Sequence, residues 1–319
     1  MCRCLILTNR FSKRMCRFLH AFPFASFPDK NKIKRRNIMK KLLAILLTLA
    51  LSLSFTAALA DTITIGVPND TTNEARALLL LEANGIIKLA EGAGIQATIR
   101  DIAENPNNVE IIEIEAAQLP VQLPDLDYAV INSNYAINAG LNPVQDSLLI
   151  EGSYSAYGNI LAVKAGNETS AKILALVAAL ESRQVADFIA ETYDGSVVST
   201  IENPTDGYDA AVDYDALKGE KITVAASPTP HAEILKVAQE ILSAKGIELE
   251  IVEFTDYVQP NLVVDSGEID ANYFQHQPYL DDFNAENGTN LVSVSVVHVE
   301  PMGLYGGRQT TLDVLGLTK

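Results

Sequence analysis

From residue 62 onward the apolar and polar positions fall into two alternating rhythms. "TITIGV" is a short β-branched run and predicts a strand. "TTNEARALLLLEANG" carries helical spacing, with Thr or Asn as cap candidates and Gly85 near its stop. "ATIRDI" and "VEIIEIE" read as strands, and "YAVIN" is a continuous apolar run of the kind buried on both faces. "NILAVK" is another strand, followed by two helices, "SAKILALVAALES" and "RQVADFIAETY". Strand–helix alternation of this sort predicts α/β layers with mostly parallel strands.

Between residues 200 and 220 the texture changes. "TIENPTDGYDAAVDYDALKGE" is acidic and polar, with Pro204 and Gly207, and reads as a linker or a loosely packed excursion. The alternation then restarts: strand "ITVAA", helix "HAEILKVAQEILSAKG", strand "ELEIVEF", a helix around "DYVQPNLVVDSG", strand "IDANYF", helix "PYLDDFNAENG" and strand "LVSVSVVHV". Two α/β units of one style predict a two-lobed clamshell. Its ligand would sit between the lobes, at strand C-terminal ends and helix N-termini.

The segment before residue 62 differs again. "MKKLLAILLTLALSLSFTAALA", residues 39–60, has two lysines, an apolar core and a closing Ala58-Leu59-Ala60, the pattern of a secretory signal peptide. A membrane anchor is the competing reading, but the run is short for one. Residues 1–38 are basic and irregular and are read as an upstream leader. Beyond residue 60 the chain has 12 Lys and Arg against 39 Asp and Glu, a net charge of −27. Such a surface repels phosphate backbones, so nucleic acid is not an expected partner. All three cysteines (Cys2, Cys4, Cys16) lie in the leader, so the exported part has no disulfide and no lipid-anchor cysteine at the cleavage site.

Several blocks, "SPTPHAEIL", "EFTDYVQPN", "DANYFQHQPYL" and "VHVEPMGLY", resemble the first half of the methionine-binding lipoprotein (NlpA, MetQ-type) family of ABC-importer binding proteins. "VPNDTTNEARALLLL", "AAQLP", "VINSNYAINAGLNP" and "YGNILAV" resemble that family's second half, so the order of the halves is reversed, as in a circular permutant. The resemblance implies a type II-like clamshell. Residues 61–157 would form the family's second lobe, and 158–200 a hinge strand with helices packing on the other lobe. Residues 201–220 would link the old termini, 221–305 would form the first lobe, and 306–319 would be a hinge crossing and tail. Permutation is tolerated where termini lie together in exposed loops.

The implied ligand is L-methionine, and the implied partner is an ABC permease with its ATPase, the only route by which the chain would meet a membrane. A zwitterion needs a cation for its carboxylate, acceptors for its ammonium and an apolar slot for its tail. Arg76, in the first turn of its helix, is the carboxylate candidate; its other reading is a surface arginine. Asn132 and Asn159 are candidates to accept from the ammonium, with Asn134 and Asn73 behind them; their other reading is capping or loop satisfaction. Tyr257, Tyr273, Phe274 and His276 are candidates for the tail slot. Strand alternation puts Tyr273 opposite Phe274 and His276, which favours the latter pair. His231 opens a helix and either lines the cleft or caps. The three histidines after residue 60 (His231, His276, His298) match no compact zinc spacing, so no metal and no cofactor is expected. There is no G-x-S-x-G and no cysteine nucleophile, and "GAGIQA" reads as a turn rather than a dinucleotide loop, so no enzyme is expected. Another amino acid or a methionyl dipeptide as ligand, and a non-transporting scaffold protein, stay open.

Overall fold

The computed structural model describes residues 62–152 and 157–317. The leader and signal-peptide readings therefore lie outside the described residues. Two mixed sheets organise the chain.

In lobe I, strand β1 (Ile63–Pro68) is an inner strand of a five-stranded sheet. It pairs in parallel with β2 (Val109–Ile114) and β3 (Tyr128–Ile131). β3 also pairs antiparallel with a late strand, Gly303–Gly306, which pairs in turn with the two-residue β4 (Leu149–Ile150). Alternation along the strands sends Ile65, Val67, Tyr128, Val130 and Leu304 to one face, and Ala129, Ile131 and Tyr305 to the other. The first face is covered by helix α1 (Thr71–Ala83), through Ala75, Leu78 and Leu81. Each fully buried Leu there contributes about 1.5–3 kcal/mol.

Lobe II is built on β5 (Gly158–Lys164), β6 (Val198–Ser199), β7 (Lys221–Ala226), β8 (Glu248–Glu253), β9 (Ala271–His276) and β10 (Leu291–Val299), in the order β8-β7-β9-β5-β10-β6. β7 is parallel to β8 and β9, while β5 runs antiparallel to β9 and β10. Helices α3 (Ala171–Leu180), α4 (Arg183–Thr192) and α5 (Glu233–Ser243) cover one face. The other face packs against α6 (Gln259–Asp265) and α7 (Gln277–Asn287) through Val264 and Leu280. Between β3 and the end of lobe I lies a short helix, α2 (Ser133–Asn138). Among the described residues no helix is long and apolar enough to cross a membrane.

The strands pass between sheets twice, once between Ile150 and Gly158 and once through Glu300, Pro301 and Met302. The second crossing is earlier than residues 306–319. Gly303–Gly306, here β11, already belongs to lobe I, and Leu312 and Leu315 are buried in the lobe I core. Three local expectations also change. Residues 201–220 pack rather than dangle: Val212 and Leu217 join the lobe II core, and Lys245 lies 4.3 Å over the Tyr208 ring. The "ATIRDI" stretch is a turn at Ile99–Asp101 with a strand only over Ile102–Glu104, because Thr98 and Asp101 cap one another. Asp70, not Thr or Asn, caps α1, so Arg76 falls in the second turn.

Candidate functional site

The crossing segments, the N-terminal ends of α1, α2 and α7, and the ends of β5 and β9 converge on one hollow. It is lined by residues of both lobes, including Arg76, Asn132, Asn159, Tyr257, Phe274 and His276. Its cavity volume is about 20 Å³, so the space is a narrow slot. Polar contacts hold the lobes closed on it. Thr72 Oγ1 donates to Asp282 Oδ2 at 2.7 Å, and Tyr257 Oη donates to Asn134 Oδ1 at 2.7 Å.

Arg76 is buried and already paired. Its Nε lies 3.1 Å from both oxygens of Glu151, and Nη2 reaches Glu151 Oε2 and, at 2.7 Å, the carbonyl of Glu300. Its guanidinium also lies 4.4 Å over the Tyr157 ring. Among the described residues, Nη1 makes no such contact and is the edge still available to an anion.

Three asparagines present defined polarity to the slot. Asn132 ends β3 and donates Nδ2 to Asn73 Oδ1 at 2.9 Å, which leaves its Oδ1 buried and unpartnered among the described residues. Asn134 accepts from Tyr257 on Oδ1, which leaves its Nδ2 buried and unpartnered in the same sense. Asn159, on β5, has its Oδ1 2.8 Å from His231 Nε2, so what it offers the slot is an N–H donor rather than an acceptor. A buried polar atom without a partner costs about 1–3 kcal/mol, so Asn132 Oδ1 and Asn134 Nδ2 each call for a partner, whether water or ligand.

The aromatic wall comes from Tyr257, Phe274 and Tyr279, with ring centroids 5.9 Å apart from Tyr257 to each of the others and 6.1 Å from Phe274 to Tyr279. A register shift in β9 falls between Tyr273 and Gln275, and the successive residues Phe274, Gln275 and His276 all border the slot, although the Gln275 amide itself is bonded to Asn261 and Asn272. Tyr273 falls on the opposite face, wholly buried in the lobe II core, and does not line the slot, as strand alternation requires. His276 caps α7, accepting from Tyr279 N–H on Nδ1, and its Nε2 lies 3.3 Å from Asn73 Oδ1. Burial, reinforced by the nearby Arg76 charge, holds its imidazole well below the usual range and hence neutral.

Behind the slot lies a buried cluster. His231 Nε2 is 3.3 Å and His298 Nε2 2.7 Å from Glu300 Oε1, and Tyr273 Oη bonds His298 Nδ1. Burial pushes both histidines down to about 3 and raises Glu300, with His231, Arg76 and the Asn134 N–H acting to lower the latter. These are three metal-ligand atoms within 4.8 Å of one another. The 2.7 Å spacing is that of a hydrogen bond, however, shorter than the ~3.3 Å separating two ligands on one tetrahedral ion. His276 stands apart from the cluster. Sequence reasoning missed Tyr279, Gln275, Ser133 and Glu300 as lining. For Glu300 a signal existed, a carboxylate two residues after His298 in an apolar strand.

The NlpA lipoprotein family model matches residues 52–201 and 222–317. The chain belongs to the NlpA lipoprotein family. Curated relatives include the membrane lipoprotein TpN32 of Treponema pallidum, 47% identical over 135 residues, covering 42% of this chain and 50% of that protein. The probable D-methionine-binding lipoprotein MetQ of Vibrio cholerae is 41% identical over 140 residues, covering 44% and 52%. A solved nutrient-binding protein from Burkholderia cenocepacia, bound to methionine, shares 46% identity with a TM-score of 0.42, covering 44% of this chain and 61% of that one. The chain spans about half the length of the curated relatives it matches.

Proposed function

We propose that the protein is the extracytoplasmic substrate-binding component of an ABC importer, that it takes L-methionine between its lobes, and that it delivers it to a permease driven by an ATPase. The observation that carries this reading is the pairing of polarities in one slot. Asn132 Oδ1 is an unpartnered acceptor suited to an ammonium. Asn134 Nδ2, Asn159 Nδ2 and the free edge of Arg76 are donors suited to a carboxylate. The aromatic wall of Tyr257, Phe274 and Tyr279 supports a thioether tail, each sulfur–aromatic contact being worth about 0.3–1.5 kcal/mol. A slim, unbranched side chain suits a slot this narrow. The names of curated relatives, D-methionine-binding lipoproteins, support methionine as the ligand class. Export through the residue 39–60 signal, and attachment to the membrane through the transporter alone, belong to the same proposal.

A second reading, a methionyl dipeptide, draws on an adjoining hollow of about 300 Å³ that shares Tyr279 with the slot. Isothermal titration of residues 61–319 with L-methionine, D-methionine and methionyl dipeptides tests both. Binding of dipeptides alone would favour the second reading, and binding of none would remove the transport proposal.

The order of the halves is part of the same proposal: we read the chain as a circular permutant. The family match falls in two blocks on either side of residues 202–221, and Arg308 Nη2 lies 3.0 Å from Thr64 Oγ1, so late and early segments of the chain meet in lobe I.

A further inference from the structure

We infer that Glu300, through His231, is a positioning residue that sets which face of the Asn159 amide the ligand meets; the ligand side of this inference rests on the amino-acid reading above. The contacts form a chain with one direction. Tyr273 Oη bonds His298 Nδ1, and with His298 Nε2 turned to a carboxylate oxygen the phenol is the donor of that bond. A neutral His298 that accepts on Nδ1 carries its proton on Nε2, which points at Glu300 Oε1, 2.7 Å away. Glu300 is therefore an acceptor at the centre of the cluster. His231 faces two oxygens with the same nitrogen, Glu300 Oε1 at 3.3 Å and Asn159 Oδ1 at 2.8 Å. With a carboxylate on that side, the proton of the neutral imidazole belongs on Nε2. It is donated to Asn159 Oδ1, and the Asn159 N–H₂ is left for the slot.

Each member is fixed by backbone of lobe II or of the crossing. Asn159 and His298 are direct neighbours across the β5–β10 ladder, and His231 lies at the entry to α5. All four side chains, Asn159, His231, His298 and Glu300, are more than nine-tenths buried, so water does not compete for their hydrogen bonds. The cluster thus acts as a polarity selector. With Glu300 as an acceptor the slot presents a donor at Asn159, which suits an anionic oxygen. With an apolar residue in place of Glu300, no acceptor on that side holds the His231 proton on Nε2; the proton moves to Nδ1, and the Asn159 amide turns its oxygen to the slot.

Long-range ¹H–¹⁵N spectra of the histidine rings test the first half without any ligand. In the unaltered protein, His231 and His298 are expected as neutral Nε2–H tautomers, and in Glu300→Met, which removes the acceptor at similar size, His231 shifts toward Nδ1–H. A His231 ring that is Nδ1–H or doubly protonated in the unaltered protein overturns the inference, as does loss of both Nε2 protons to a divalent ion. So does an unchanged His231 tautomer in the variant. Titration with L-methionine and L-methioninamide tests the second half. Glu300→Met is expected to lose roughly tenfold or more in affinity for methionine relative to methioninamide, whose carboxamide can pair with either face of Asn159. A parallel loss for both compounds would reduce Glu300 to a merely structural part. Failure of the unaltered protein to bind methionine would sink the transport reading while leaving the tautomer result to judge the cluster.

Discussion

Arg76 and Glu151 form an ion pair at the base of the slot in which one carboxylate meets two nitrogens of the guanidinium, with side chains 5% and 19% exposed. They come from opposite ends of lobe I, α1 and the start of the first crossing, and the same guanidinium also holds the Glu300 carbonyl on the second crossing. Arg76 thus ties both crossings to α1. Arg76→Ala is expected to weaken methionine binding by about 2–3 kcal/mol. It should also lower stability, by up to about 3 kcal/mol, because Glu151 loses its partner. Arg76→Lys should recover part of the stability and little of the affinity, since an ammonium cannot make the forked contact. Calorimetric titration and urea unfolding of the two variants separate these effects. Unchanged affinity in Arg76→Ala would remove Arg76 from the site.

The cap of α1 predicts a pH response. Asp70 accepts from the Asn73 N–H and Nδ2, each at 2.9 Å. Burial lifts its carboxyl to about 6, against the pull of those hydrogen bonds and with some help from Glu286. The folded value lies above the unfolded one of 3.8, so the folded protein binds the extra proton. Its contribution to stability is then fully present below about 4 and is lost as pH rises through 6. Asn caps as well as Asp and carries no charge. Asp70→Asn should therefore gain stability over the unaltered protein at pH 7.5 and show little gain at pH 4. Urea midpoints of both proteins at the two pH values check this, and a gain that is equal at both would refute it.

Much of this architecture could be read from residue patterns. The runs of β-branched residues, such as "TITIGV" and "YAVIN", became inner strands of lobe I, because a strand buried on both faces needs an apolar side chain at every position. The glycines that end helices did so with positive φ, as Gly246, Gly267 and Gly288 show. Six of the seven candidate residues line one slot, while Tyr273, a candidate although alternation favours Phe274 and His276, lies in the lobe II core. What the pattern could not carry was pairing. Nothing local in "PNDTTNEAR" says that Arg76 meets Glu151 seventy-five residues on, or that the Asn159 oxygen is taken by His231. Such contacts depend on how the chain crosses between sheets. The 201–220 stretch misled for a related reason. Its acidic residues face solvent, while the few apolar ones, Val212 and Leu217, are spaced too irregularly to show a period yet are both buried.

That stretch should matter for stability. Leu217 is 8% exposed and packs into the lobe II core, and the backbone N–H of Gly219 donates to the Gly246 carbonyl at 2.8 Å. Leu217→Ala is expected to cost about 2–4 kcal/mol. Chemical unfolding should show a lowered midpoint with unchanged slope. A loss below about 0.5 kcal/mol would return the segment to the status of a solvated linker.

The tail carries its own test. Residues Gly306 and Gly307 turn the chain out of β11 so tightly that a Cβ on Gly307 would stand 2.0 Å from the Leu123 carbonyl oxygen and 2.4 Å from that of Leu126. Beyond the turn Arg308 reaches Thr64 Oγ1 and, at 2.9 Å, Asp127 Oδ2, and Leu317 packs on the same apolar cluster as Ile63. The two ends of the described chain are thus parts of one core. Two consequences follow from that contact. Gly307→Ala has no room to relax against backbone oxygens and should destabilise lobe I by at least about 1–3 kcal/mol. Joining residue 317 to 62 through a short flexible linker, and opening the chain instead within 206–211, should leave the fold and the methionine affinity nearly unchanged. Closing a short loop between segments already in contact adds little entropy cost. Circular dichroism, urea unfolding and titration of the rejoined protein give the answer. A rejoined chain that fails to fold, or folds but binds more than about tenfold more weakly, would show that the present order of the halves is itself required by the site.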